Sequence, residues 1–136
     1  MATSTIQYLG NLRLELTHVQ SGSKVITDAP VDNHGKGEAF SPTDLVATGL
    51  GACILTTIGI AAQVHGFSIE GAKAEVVKHM GSKPRRIVQI DVQLVLPNNP
   101  YSAKEKKIIE LCAKECAVSG SLHPDLKQNV SFQYGE

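Results

Sequence analysis

Ser41-Pro42-Thr43-Asp44 opens the run Leu45 to Val64, LVATGLGACILTTIGIAAQV, which passes twenty residues without a formal charge. Ser41 carries the marks of a helix N-cap. Its hydroxyl can accept from a free backbone amide, Pro42 suits the first helical position, and Asp44 completes a capping-box pattern three residues on. Gly66 supplies the stop, so the reading is one helix from Pro42 to about His65. Its length reaches that of a membrane span, about 20 residues. Gly49, Gly51 and Gly59, together with Thr48, Thr56, Thr57 and Gln63, lower its hydrophobicity, and no basic flank sets an orientation. A helix buried on all sides explains the run better than a membrane span.

Upstream, residues 6–31 alternate as strands do. Ile6, Tyr8, Leu12, Leu14, Leu16, Val25 and Ile26 supply the apolar positions, and Gly10-Asn11 and Ser21-Gly22-Ser23 are turn signals. A hairpin or three-stranded meander follows, ended by Asp28-Ala29-Pro30 and a glycine-containing loop over Asn33 to Glu38. Downstream, Ile69 to Lys78 and Ile87 to Leu96 read as a pair of strands joined by Met80 to Pro84, the second with an apolar and a polar face. Pro97-Asn98-Asn99-Pro100 breaks the chain. Ser102 and Glu105 form a second capping box, opening a helix in which Ile109, Cys112 and Cys116 recur at spacings of three and four and share the buried face. Val130, Phe132 and Tyr134 alternate as a final strand.

This order implies an α+β domain, residues 1–136, with a largely antiparallel sheet and a long buried helix. A small sheet can cover only one side of so uniformly uncharged a helix. A second subunit is expected to cover the other, giving an intimate homodimer whose interface resembles a split core.

The composition is that of an ordinary globular chain, 42% apolar and 19% charged, with thirteen basic and thirteen acidic side chains. Zero net charge argues against a general nucleic-acid binder and favours a small neutral or amphiphilic partner. Met1-Ala2-Thr3-Ser4-Thr5 lacks the basic and apolar regions of a secretory signal, so a cytoplasmic location is expected. There, three cysteines favour free thiols or a catalytic pair over a disulfide framework.

Cys53 and Cys116 are the candidate reactive groups. Each has an alternative reading as a small core residue. For reactivity one thiol must ionise near neutral pH, against a free value of about 8.5, which requires a nearby cation or donated hydrogen bonds. Arg13, projecting from the first hairpin, is the candidate cation, and Glu38 could orient its guanidinium through a bidentate pair. The basic stretch Lys78 to Arg86 reads as a solvated hairpin end, with anion binding at a pocket mouth as the alternative. The five histidines show no paired metal spacing, and no glycine-rich phosphate loop or nucleophile-elbow serine occurs, so neither a metal nor a cofactor is expected.

Ser41-Pro42-Thr43-Asp44-Leu45 followed by Gly49-Leu50-Gly51-Ala52-Cys53, with Cys116-Ala117-Val118-Ser119 and Leu122 near the end, resembles the OsmC/Ohr family, the osmotically inducible and organic hydroperoxide resistance proteins. The resemblance spans nearly the whole chain. It implies an intertwined homodimer with active sites at the subunit interface, Cys53 as peroxidatic cysteine, Cys116 as resolving cysteine, Arg13 as the residue stabilising the thiolate, and a dithiol reductant. One departure stands out. Where the peroxidase branches place a glutamate after the Ser/Asn-Pro pair, this chain has Thr43, which cannot form the ion pair that holds the arginine. Either Glu38 or Asp44 substitutes, or the activity is altered; Asp44, as a capping residue, is the poorer substitute. The leading expectation is a cysteine-based reductase of organic or hydrogen peroxides. The alternative is a ligand-binding or redox-sensing dimer with an apolar interface pocket and no turnover.

Overall fold

The structure, a computed structural model, describes residues 1–135. The chain divides into two compact units, Met1–Val46 and Ala47–Glu136.

The first unit is a meander of strands β1 (Ser4–Gly10), β2 (Arg13–His18) and β3 (Lys24–Asp28), all antiparallel and in sequence order. The β1–β2 turn has positive φ at both central residues, 53° at Asn11 and 65° at Leu12. This mirror-image turn geometry matches strand twist, and Asn adopts it far more readily than Leu. The register sets Ile6 opposite Leu16, Tyr8 opposite Leu14, and Leu16 opposite Val25, so these side chains share one face. That face is open: Ile6 is 63% and Tyr8 60% exposed. After β3 the chain folds tightly on itself. Gly35 donates from its N–H to the Pro30 carbonyl at 2.9 Å, and a Cβ at Gly35 would fall 1.7 Å from the Ala29 carbonyl oxygen. Only glycine fits that approach.

Helix α1 (Pro42–His65) has the bounds the sequence implies. Ser41 Oγ accepts from the Asp44 N–H, and the Asp44 carboxylate accepts from the Ser41 N–H, each at 3.0 Å. This is a closed capping box. At the other end Gly66 takes φ +78°, which stops the helix cheaply.

In the second unit α1 is followed by strands β4 (Lys73–Gly81) and β5 (Arg86–Leu96), helices α2 (Ala103–Cys112) and α3 (Ala117–Ser121), and strand β6 (Lys127–Tyr134). The sheet order is β4-β5-β6. β4 pairs antiparallel with β5, but β6 runs parallel to it, so the sheet is mixed. Along β5 the residues Ile90, Val92, Leu94 and Leu96 alternate into the core. They meet the α1 stripe Ala47, Leu50, Ile54 and Ile58, with Ile109 and Cys116 completing the cluster. Full burial of each large aliphatic side chain contributes about 1.5–3 kcal/mol. Gly51 lets the helix lie close, because a Cβ there would meet Val76 Cγ2 at 2.8 Å.

By length and composition α1 could cross a membrane. Its buried residues form one stripe, however, and the other side stays open, with Ile60 60% and Val64 76% exposed. A three-stranded sheet has no more than one face to offer.

Several boundaries differ from the sequence reading. Residues 69–71 form a turn closed by the Ala72 N–H on the Ile69 carbonyl, with Gly71 at φ +91°, so β4 begins at Lys73. It also runs on through Met80 and Gly81, leaving a shorter connection to β5. The second helix ends at Cys112 rather than reaching Cys116. Tight turns close on the Leu111 and Cys112 carbonyls, and Cys116 then takes an extended conformation (φ −75°, ψ 150°) as N-cap of α3. Cys116 is still buried, 3% exposed, but as a capping residue and not on a helix face.

Candidate active site

Cys53 lies midway along α1, half-buried at the edge of the core cluster, and both it and Cys116 are free thiols. Sequence spacing could not place them together; folding does. The break after α2 turns the chain so that Cys116 and the two residues after it face the Cys53 sulfur. Hydrogen bonding holds the Cys53 thiol below its ordinary value: the Val118 backbone N–H contributes most, burial opposes it, and the Cys116 thiol, the Thr57 hydroxyl and the Ala117 N–H add to the lowering. Thr57, one turn along α1, also donates to the Cys53 carbonyl oxygen at 2.8 Å.

The partner sulfur is pushed the other way. Burial raises Cys116, the Ser119 N–H offsets this in part, and the hydrogen bond and charge of Cys53 raise it further. The Ser119 N–H reaches Cys116 Sγ at 3.3 Å, so the sulfur is itself the helix cap. Two adjacent sulfurs with opposite shifts divide one proton between them. Of the two, Cys53 is the sulfur favoured as thiolate and Cys116 the one favoured to keep a proton and donate it. Cys112 is raised by burial and by the negative charge of Glu115, which leaves it a poor nucleophile.

The other expected site residues, Arg13 and Glu38, lie in the first unit. Arg13 is paired, and chiefly with a residue the sequence reading assigned no site role. Its Nε and Nη2 donate to the two carboxylate oxygens of Asp28 at 2.8 and 2.9 Å, a bidentate fork. Glu38 Oε1 stands 3.8 Å from Nη2, an ion pair without the fork. The Arg13 hydrogen bonds hold Asp28 below the usual carboxylate range against the cost of burial, with the Arg13 charge, the Glu38 backbone N–H and Lys36 assisting. Arg13, Asp28, Lys36 and Glu38 line a cleft of about 200 Å³.

Asp28 could have been found. Centring the β2–β3 hairpin on Gln20 and Ser21 sets Arg13 opposite Asp28, which is the register observed. Asp44 is occupied by the helix cap, and Thr43 Oγ1 lies 3.1 Å from Ser41 Oγ. The carboxylate that holds the Arg13 fork comes instead from β3, from Asp28.

Among the described residues no cluster of histidine, cysteine and acidic side chains could hold a metal ion. A larger groove of about 560 Å³ lies on the outer sheet face among Glu75, Asp91, Gln93, Asn129 and Ser131, away from both cysteines. There Asp91 accepts from His79, Gln89 and Asn129 at 2.6, 2.8 and 3.0 Å, a ladder satisfied within itself.

Residues 35–131 match the family model described as OsmC-like protein. The chain belongs to that family. Among solved structures, a protein of Psychrobacter arcticus 273-4, provisionally described as an osmotic stress induced and detoxification response protein, is 47% identical with a TM-score of 0.92, over 97% of this chain and 96% of that one. An OsmC like protein from Mycoplasma pneumoniae is 20% identical with a TM-score of 0.80, over 98% and 96%. A Legionella pneumophila structure described as organic hydroperoxide resistance protein OsmC, predicted redox protein, regulator of sulfide bond formation, is 20% identical with a TM-score of 0.68, over 100% and 98%. These last two are likenesses of fold. No curated protein matches the chain in sequence.

Proposed function

We propose that the protein is a thiol-dependent peroxidase that reduces organic or hydrogen peroxides in cytoplasmic oxidative stress defence. The observation that carries this reading is the pairing of Cys53 and Cys116: donated hydrogen bonds from Val118, Ala117 and Cys116 favour the charged form of Cys53, while burial favours the neutral form of Cys116. The Cys53 thiolate attacks one peroxide oxygen, the O–O bond breaks, and the other oxygen leaves as an alcohol or water after taking a proton. The Cys116 sulfur then attacks the Cys53 sulfenic acid, releasing water and closing a disulfide. A dithiol reductant restores both thiols by exchange. The family resemblance gives Arg13, whose guanidinium is oriented by its fork with Asp28, the role of stabilising the thiolate.

A homodimer fits the same reading. Ile6, Tyr8 and Val25 on the meander and Ile60 and Val64 on α1 are large, apolar and exposed, and open apolar faces of this kind mark surfaces that a partner covers. A second copy of the chain is the proposed partner.

The alternative, a ligand-binding or sensing dimer without turnover, draws on Thr43 standing where an acid is expected. The two separate in one assay. The peroxidase should consume cumene hydroperoxide with excess dithiothreitol, and its Cys53 should be alkylated by iodoacetamide with a midpoint below the free-thiol value of about 8.5. The sign follows from the depressed value: reactivity is full above the midpoint and falls as the pH drops through it. No consumption, with alkylation that rises only in the ordinary thiol range, is the result the binding module would give.

A further inference from the structure

Gln128 is the second residue of β6, and its backbone is fixed by the parallel ladder opposite Ile90, which is fully buried. Its side-chain amide holds Ser119 at two points. Oε1 accepts from the Ser119 hydroxyl at 2.5 Å, and Nε2 donates to the Ser119 carbonyl oxygen at 3.1 Å. Ser119 in turn donates its N–H to the Cys116 sulfur that caps α3. Between Cys116 and Ser119 lie only Ala117 and Val118, whose amides meet the Cys53 sulfur.

A helix of five residues has almost no stability of its own, because nucleating the first turn costs more than so few bonds return. The turn is therefore held from outside: by core packing at Cys116 and by the sheet, through Gln128, at Ser119. We propose that Gln128 is a positioning residue, whose two-point hold on Ser119 keeps the Ala117 and Val118 amides aimed at the Cys53 sulfur. The proposal rests on the reading of Cys53 as the reactive thiol. It gives β6 a part in the chemistry, although β6 itself holds no reacting group.

The test is the pH dependence of iodoacetamide alkylation, followed at Cys53 and at Cys112 by peptide mass spectrometry. Gln128→Met keeps an unbranched side chain and removes both hydrogen bonds. Cys53 alkylation below the midpoint should fall about fivefold, the equivalent of one net hydrogen bond of about 1 kcal/mol, with the midpoint moving up and the Cys112 rate unchanged. Ser119→Ala, which keeps the bond to the carbonyl, should shift the profile the same way by less, and it serves if Gln128→Met fails to fold. Ser119→Thr, which keeps the hydroxyl, should restore the wild-type profile. Variant profiles that superimpose on the wild type overturn the proposal, as does a Cys112 rate that rises in step, which would mean general loosening. A wild-type protein that shows the depressed midpoint but consumes no peroxide would defeat the peroxidase reading and leave the role of Gln128 standing.

Discussion

Cys53→Ser abolishes peroxide consumption, with a fall on the order of a thousandfold or more in turnover with a dithiol. The magnitude follows from what the site does for this sulfur. The Val118 and Ala117 amides and the Cys116 thiol favour a negative charge on this sulfur and lower the pH at which it ionises. A serine hydroxyl remains protonated under the same donors and is a weak nucleophile without a general base. The substitution is nearly isosteric at a half-buried position, so the fold should survive with an unchanged far-UV spectrum. Loss of activity with an intact fold then assigns the chemistry to this atom. Activity within a fewfold of wild type would mean that another group reduces the peroxide.

Cys116→Ser has a different signature: one turnover followed by a stall. Serine is among the preferred N-cap residues, so the Ser119 N–H keeps an acceptor and α3 keeps its cap. The serine hydroxyl can also donate to Cys53 in place of the thiol. The first equivalent of peroxide should therefore be consumed at a rate within about threefold of wild type, the room left by one weak hydrogen bond. The Cys53 sulfenic acid then has no resolving thiol, and steady turnover should fall on the order of a hundredfold, limited by direct reduction or further oxidation of the sulfenic acid. A burst of one equivalent per chain, with the sulfenic acid trapped by dimedone, is the expected observation. Sustained turnover at the wild-type rate would show that Cys112 or an outside thiol resolves Cys53 instead.

How much of this the chain discloses without folding depends on the range of the signal. The limits of α1 are written in Ser41, Pro42, Asp44 and Gly66, all within one turn of the ends they set. The box of Ser102 and Glu105 at the start of α2 is equally local, and it forms with both reciprocal hydrogen bonds. The meander is announced by alternation and turn residues. What alternation cannot carry is the choice of partner. Val130, Phe132 and Tyr134 identify an inward face, but nothing local says that β6 lies parallel to β5 rather than antiparallel.

Cys116 illustrates a second limit. The spacing of Ile109, Cys112 and Cys116 fits one helical face, and Cys116 is indeed buried. No glycine or proline marks the break that takes it out of α2. That break decides the chemistry, because it brings the Ala117 and Val118 amides round to Cys53; a helix continued through Cys116 would have spent those amides on its own backbone. Asp28 is the case where the signal was present. Its pairing with Arg13 follows from the hairpin register, yet the residue reads locally as no more than the end of a strand.

The central physical claim is that a thiolate at Cys53 is kept by donated hydrogen bonds and relieved, once oxidised, by the neighbouring sulfur. The most direct test is peptide mapping of the wild-type protein after one equivalent of cumene hydroperoxide in the absence of reductant. The expected product is a chain two hydrogens lighter, carrying a disulfide between its own Cys53 and Cys116, with Cys112 reduced. A sulfinic acid on Cys53 beside an unmodified Cys116, or a Cys53 left untouched, would contradict the claim.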